Sequence, residues 1–214
     1  MYVIGLTGNI ATGKSAVAAM LRALGAYVID ADELAHWAIR AGTPAHRRVV
    51  ERFGCGVLRA DGEVDRARLA TVVFADARAL ADLEGIIHPV VVAESFRLLA
   101  SSDGPVGAVE AIKLFEAGMH RRCDAVWVVT CSREQQVERL MRTRGMSRDE
   151  AELHISAQPP ASAKLALASV VIDNSRTLED AWRQVLRAWK AIPGAPMAPV
   201  DAPWPELTRR ESNP

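Results

Sequence analysis

Eight residues carry the clearest chemistry in the sequence: Gly8-Asn9-Ile10-Ala11-Thr12-Gly13-Lys14-Ser15 fits the G-x-x-x-x-G-K-[ST] spacing of a phosphate-binding loop. In such a loop successive backbone N–H groups converge on phosphate oxygens, and the positive end of the following helix adds to the attraction. Lys14 would then reach the β- and γ-phosphates, and the Ser15 hydroxyl would coordinate Mg²⁺. The alternative is an ordinary strand-to-helix turn with two glycines and a lysine. The context decides against it, because residues 2–6 read as a short buried strand and residues 15–24 as a helix closed by Gly25. The chain is therefore expected to bind a nucleoside triphosphate.

Carboxylates and arginines follow at places where open α/β sheets do chemistry. Residues 26–30 read as a second buried strand ending in Asp30-Ala31-Asp32, and ligands of such sheets bind at the carboxyl ends of strands. Aspartate is also a favoured helix N-cap, so one of the pair is expected to cap the next helix while the other works. Glu116, after a third strand at 106–112, would approach the metal or the acceptor, unless it is only an acid at a helix start. A fourth strand at 125–130 leads to Ser132 and Gln135, a capping box, and to a helix bearing Arg139, Arg142 and Arg144. Lone arginines on a helix usually form a solvated face. Here Gly145-Met146-Ser147 and a second short helix at 148–157, stopped by Pro159-Pro160, make an arginine-bearing hairpin where a phosphate-closing lid would sit. Guanidinium forks suit phosphoryl oxygens.

The rest of the chain positions these groups. Between the second and third strands lie short helices at 33–40 and 45–53, a turn at Ala60-Asp61-Gly62-Glu63, and a helix-rich stretch at 66–101 broken at Pro89. That mainly helical insertion is a natural acceptor lobe. A fifth strand at 169–173 ends at Asn174, and an amphipathic helix at 178–192 carries Trp182 and Trp189 toward the core. From Pro193 on, six of 22 residues are proline, which predicts a loosely packed or disordered tail whose removal costs little stability.

Composition sets the limits. At 214 residues, half of them hydrophobic and 24% charged, the chain suits one core domain with insertions. The 26 basic and 26 acidic residues balance, which argues against a nucleic-acid partner held by bulk charge. Cys55, Cys123 and Cys131 form no C-x-x-C pair, and the five histidines (His36, His46, His88, His120 and His154) make no ligand-spaced pair. No signal peptide and no membrane span are expected, so a reducing cytoplasm is the expected setting.

Taken in order, Gly5-Leu6-Thr7-Gly8 with Gly13-Lys14-Ser15, then Val28-Ile29-Asp30-Ala31-Asp32, Asp61-Gly62, Asp65-Arg66, Leu69, Phe74 and Ile87-His88-Pro89 form a specific series. It continues with Leu114-Phe115-Glu116, Arg139-Leu140, Ala157-Gln158 and Val171-Ile172-Asp173-Asn174. Over roughly residues 1 to 190 the chain resembles the dephospho-coenzyme A kinases. The resemblance implies an α/β fold of the P-loop nucleotide-kinase type, with a five-stranded parallel sheet flanked by helices. The core would comprise 1–32, 102–141 and 166–192, the helical acceptor domain 33–101 and the lid 142–165, followed by the tail at 193–214. It also implies ATP-dependent phosphorylation, with Mg²⁺, of the ribose 3′-hydroxyl of dephospho-coenzyme A, by a monomer or weak homo-oligomer.

On this resemblance Asp32 accepts the proton of the attacking hydroxyl, while Lys14 and Arg139 hold the transferring phosphoryl group. The donor nucleotide is expected on Gly8, Ala11, Thr12, Gly13, Lys14, Ser15 and Ala16, with Arg144 from the lid and Asn174 beside the donor base. The acceptor is expected on Asp32, His88, Leu114 and Glu116, and Mg²⁺ on Ser15. Phosphoryl transfer needs positioning and charge compensation more than covalent chemistry, which suits this set. The chain departs from the family at Asn9 and Ala11, where glycines are usual, and at Ala16, often a threonine. It also departs at Ile112-Lys113, where proline-leucine is usual, and at Ser169, where aspartate is common. Asn9 must tolerate whatever backbone angles the loop demands, and Asn is the non-glycine residue best able to. Competing readings are another small-molecule P-loop kinase, of a nucleoside monophosphate or a gluconate-like acid, and a non-catalytic nucleotide switch. No N-K-x-D guanine motif is present.

Overall fold

The computed structural model describes residues 1–197; the remainder of the proline-rich tail, 198–214, lies outside the described residues. From the N-terminus, β1 (Tyr2–Thr7) leads through the glycine loop into α1 (Lys14–Ala23), and β2 (Tyr27–Asp30) into α2 (Ala31–Ala38). Then come α3 (Pro44–Phe53), α4 (Arg66–Ala75) and α5 (Ala77–Ala100). The chain returns through β3 (Val106–Glu110) and β4 (Ala125–Thr130) to α6 (Arg133–Arg144), α7 (Arg148–Ser156) and α8 (Ala161–Leu165), and ends with β5 (Val170–Asp173) and α9 (Leu178–Trp189). Two compact units result, one of residues 1–29 with the described residues from 102 on, the other of residues 30–101.

The first unit is built on a parallel sheet of order β2-β3-β1-β4-β5. β3 is buried along its whole length and β4 along all but its last residue, as strands covered on both faces must be. Ile4 and Leu6 of β1, Trp127 and Val129 of β4 and Ile172 of β5 form one core with Val17 and Leu21 of α1 and with α9. On α9, Trp182, Val185, Leu186 and Trp189 repeat at helical spacing on the buried face, and Thr177 with Asp180 closes its N-terminus in a capping box. Because the chain crosses from one side of β1 to the other after β3, the carboxyl ends of β1 and β3 flank the point where strand order reverses. That crevice is where such sheets bind ligands.

The second unit is helical. Each helix starts on a side-chain cap: Asp30 for α2, Thr43 for α3, Asp65 for α4 and Asp76 for α5. Val49, Val57, Leu69, Val73 and Ile86 make its own apolar cluster.

Several expectations are corrected. Asp30 caps α2 by accepting from the N–H groups of Asp32 and Glu33 at 2.9 and 3.0 Å, so that helix starts at Ala31 rather than 33. Pro89 does not break the stretch at 66–101. It lies inside the 24-residue α5, and the break falls at Asp76 instead. The proline costs roughly 3 kcal/mol, yet Ile86, Val91, Phe96 and Leu99 are buried on both sides of it, and each such burial contributes roughly 1.5–3 kcal/mol. β3 ends at Glu110, and the segment after it runs in turns, so Glu116 starts no helix. Downstream of Pro160 the short helix α8 was not expected. The tail, as far as it is described, is not loose: the Trp189 indole N–H donates to the Pro196 carbonyl at 2.9 Å, and Ala195 packs on the core.

Candidate active site

The loop between β1 and α1 is shaped by two glycines that no other residue could replace without movement. A Cβ on Gly8 would lie 2.3 Å from the Val129 carbonyl oxygen, and one on Gly13 would lie 2.1 Å from the Asn174 amide nitrogen. Gly13 is also left-handed, with φ of 94°. Ala11, at φ 57°, is the one non-glycine residue with positive φ among the described residues, so the left-handed step falls there and not at Asn9. A left-handed alanine stores roughly 1–2 kcal/mol of strain, which surrounding contacts must hold.

Those contacts come from far along the chain. Gln136 Nε2 donates to the Ile10 carbonyl at 2.6 Å, and the Ile10 N–H donates to Gln158 Oε1 at 2.7 Å. Arg139 donates through Nη1 to the carbonyls of Ala11 and Thr12 at 3.2 and 2.9 Å, and through Nη2 to that of Asn174 at 2.8 Å. Asn174 Nδ2 donates to the Thr12 carbonyl at 2.9 Å. Asn9 ties the loop to the segment before α8, its Nδ2 donating to the Pro159 carbonyl at 3.0 Å. Ile10 itself packs among Val137, Leu140, Ala151 and Ile155 of α6 and α7. These bonds fix the loop's backbone in one shape, and two of its own N–H groups are engaged as well, that of Ile10 by Gln158 and that of Thr12 by the Asn9 carbonyl at 3.4 Å. The strain at Ala11 is thus borne by a set of side chains that preorganise the cradle.

Lys14 opens α1 and is 8% exposed. Ser15 Oγ donates to Glu110 Oε1 at 3.1 Å, and Glu110 ends β3 at the strand-order reversal, 4% exposed. A serine hydroxyl beside a carboxylate is a hard-oxygen pair of the kind Mg²⁺ takes, and Mg²⁺ is normally held by one or two protein oxygens plus phosphates rather than by a protein cage. No group of three or more His, Cys, Asp or Glu able to hold a metal occurs among the described residues. Cys123 and Cys131 are unsuited to nucleophilic work: burial pushes the Cys123 thiol up to about 12 and also raises that of Cys131, against the opposing pull of Arg139.

The remaining expected residues divide clearly. Thr12 is buried and its hydroxyl donates to the Asn9 carbonyl at 2.9 Å, while Ala16 is half-buried on α1. Asn174 is 2% exposed and braces the loop from behind. Leu114 is 0% exposed and lies against Gly5 of β1, so its side chain is a core group rather than an acceptor contact. Glu116 and Arg144 are exposed, the latter in the last turn of α6 with Arg142. In the helical unit, Asp32 lies in the first turn of α2, and His88 is half-buried on α5. Glu110, Gln136 and Gln158 were not singled out as site residues. A carboxylate closing an otherwise apolar strand marks Glu110, and a glutamine between the apolar positions of α6 marks Gln136.

A family model described as dephospho-CoA kinase (CoaE) matches residues 2–180. The chain belongs to the dephospho-CoA kinase family. It is 48% identical over 193 residues to the dephospho-CoA kinase of Geobacter sulfurreducens, covering 88% of this chain and 98% of that one. It is 43% identical over 197 residues to that of Symbiobacterium thermophilum, with 91% and 82% covered. Among solved structures it is similar to TT1252 from Thermus thermophilus, with a TM-score of 0.77, 34% identity and 87% and 95% of the chains covered. It also shares its fold with the dephospho-CoA kinase from Campylobacter jejuni, at a TM-score of 0.64, 24% identity and 88% and 95% coverage. As a member of this family the chain is a transferase that phosphorylates dephospho-CoA in the synthesis of coenzyme A.

Proposed function

We propose that the phosphoryl donor is ATP with Mg²⁺, that the accepting group is the ribose 3′-hydroxyl of dephospho-CoA, and that the residues below carry the transfer. The preassembled loop supports this reading most strongly, since its carbonyls are tied back by Gln136, Arg139 and Asn174. The N–H groups of Gly13, Lys14 and Ser15 at the start of α1 would receive the donor's phosphates at a helix N-terminus. Lys14 would balance charge on the phosphoryl group in flight. Arg139 has five N–H donors, and its three bonds to carbonyls leave donors in the same fork for phosphoryl oxygens. Ser15 and Glu110 would hold Mg²⁺, which when bound neutralises charge shared between the β- and γ-phosphates. Asp32 would take the proton from the 3′-hydroxyl as the oxygen attacks. Residues 142–165 would serve as the lid, with Arg144 reaching the donor when it closes.

We also place the chain in the cytoplasm, where its three free cysteines would stay reduced. Among the described residues no helix is long and apolar enough to cross a membrane. The test is an acceptor panel with ATP and Mg²⁺, coupled to ADP release and followed by phosphorus NMR of the product. Turnover with dephospho-CoA, and a new phosphate on the 3′-oxygen, is expected. Turnover on nucleoside monophosphates or gluconate instead, or a phosphate at another position, would overturn the reading.

A further inference from the structure

No role above falls to Lys164. It lies on α8 and is 5% exposed, although taking an ammonium out of water is costly and a fold keeps such a group only where other atoms answer it. Its Nζ donates to the Ile112 carbonyl at 2.7 Å. That carbonyl has a second donor in the Thr7 hydroxyl at 3.3 Å, so it needs no charged partner to be satisfied. What the lysine adds is its charge.

The topology says where that charge stands. α8 packs on β4, and Ile112 follows β3; these two strands flank β1 on its two sides. The Lys164 side chain therefore spans the carboxyl end of β1, with its ammonium beside Thr7, the last residue of that strand. It shares a small cavity with Gly8, Asn9 and Thr12 of the glycine loop. Here strand order reverses, the place where sheets of this kind bind ligands. Glu110, given to the metal above, closes β3 two residues before Ile112, so charges of both signs gather at this end of the sheet, which suits a polyphosphate with its cation.

This placement does not depend on closure of a lid. The Pro159 carbonyl, just ahead of α8, accepts from Asn9 Nδ2 at 3.0 Å, and Lys164 fastens the helix itself to the exit of β3. That exit is held to β1 in turn, since the Ala111 N–H donates to the Leu6 carbonyl at 3.0 Å. The ammonium is thus set before a nucleotide arrives, the condition under which a fixed charge lowers a barrier most.

We infer that Lys164 is a further catalytic residue, whose ammonium meets the γ-phosphoryl group of the donor at the start of the glycine loop. The inference rests on the reading of that loop as the donor site. The N–H groups at the start of α1 hold the phosphates that ADP also carries, whereas Lys164 answers only the one that ATP adds.

The experiment is calorimetric titration of ADP and of the non-hydrolysable β,γ-imido analogue of ATP, each with Mg²⁺, into the full chain and into Lys164→Met, Lys164→Gln and Lys164→Arg, with steady-state kinetics on the same samples. Lys164→Met keeps an unbranched apolar stem and removes the charge. It is expected to weaken binding of the analogue by about 10-fold or more and to lower kcat by about 10- to 100-fold, as loss of a charge-assisted bond does. Affinity for ADP and KM for dephospho-CoA should stay within about twofold. Lys164→Arg should recover part of the loss, and Lys164→Gln, which keeps a donor but no charge, should not. Unchanged kcat in Lys164→Met, an equal loss toward ADP and the analogue, or Lys164→Gln as active as Lys164→Arg would overturn the inference. Should Lys164→Met fail to fold, Lys164→Gln and Lys164→Arg decide it between them. Failure of the unsubstituted chain to bind either nucleotide would instead remove the reading of the loop beneath it.

Discussion

The glycine loop and the helical unit hold their functional residues in opposite ways. Around the loop the bonds are long in sequence: Gln136 to Ile10, Gln158 to Ile10, Arg139 to Thr12 and Asn174 to Thr12 each join positions more than a hundred residues apart. In the unit of residues 30–101 the helix starts are closed by their own neighbours, with Asp30, Thr43, Asp65 and Asp76 each accepting from N–H groups two or three residues on. A loop that must present N–H groups in a strained shape cannot be specified by its own residues, so the whole sheet edge specifies it. Helices whose task is to carry a few side chains can be set locally. The difference is between a site fixed before the ligand arrives and one assembled from locally stable pieces.

Substitutions can break or sharpen that contrast. Lys14→Ala should lower turnover by about a hundredfold or more, with circular dichroism unchanged, because no neighbouring group replaces its charge; retention of more than about a tenth of the rate would contradict its role. Arg139→Ala removes three ties of the loop together with the proposed contact to the phosphoryl oxygens, and kcat/KM should fall about 10²- to 10³-fold. An unchanged value would return Arg139 to a purely structural part. By contrast, Asp76→Ala removes only a local cap and should cost about 1 kcal/mol in a denaturant titration, with KM for ATP unaltered. The smallest effect is expected from Ala11→Gly, which relieves the left-handed alanine and should raise stability by about 1 kcal/mol at most. A loss of stability there would mean that the loop is not under strain.

Much of this contrast was open to sequence reasoning, and the part that was not has a physical cause. The loop, β4, the capping box at Ser132 and the burial of Trp182 and Trp189 follow from spacing and local chemistry, which act over a few residues. The side chains that brace the loop are long-range, and nothing local to Gln136, Gln158 or Asn174 shows which backbone group each meets. Asn174 looked like a ligand neighbour because it ends a strand, yet it turns inward to Thr12. Leu114 followed the family motif, but a motif position can serve packing as well as binding. At Pro89 the local rule lost to burial on both sides of α5. Asn9 and Ala11 both stand where the family usually has glycines, and the fold puts the left-handed angle on Ala11 and gives Asn9 a tie to Pro159.

The account as a whole requires donor chemistry on the loop and acceptor activation on α2 to be separable. Steady-state kinetics of Asp32→Asn tests this most directly, with ATP and dephospho-CoA varied in turn. The expected result is a fall in kcat of about a hundredfold or more, while KM for ATP stays within about twofold. A change confined to KM for ATP, with kcat preserved, would make Asp32 part of the nucleotide site and contradict the division of labour described above.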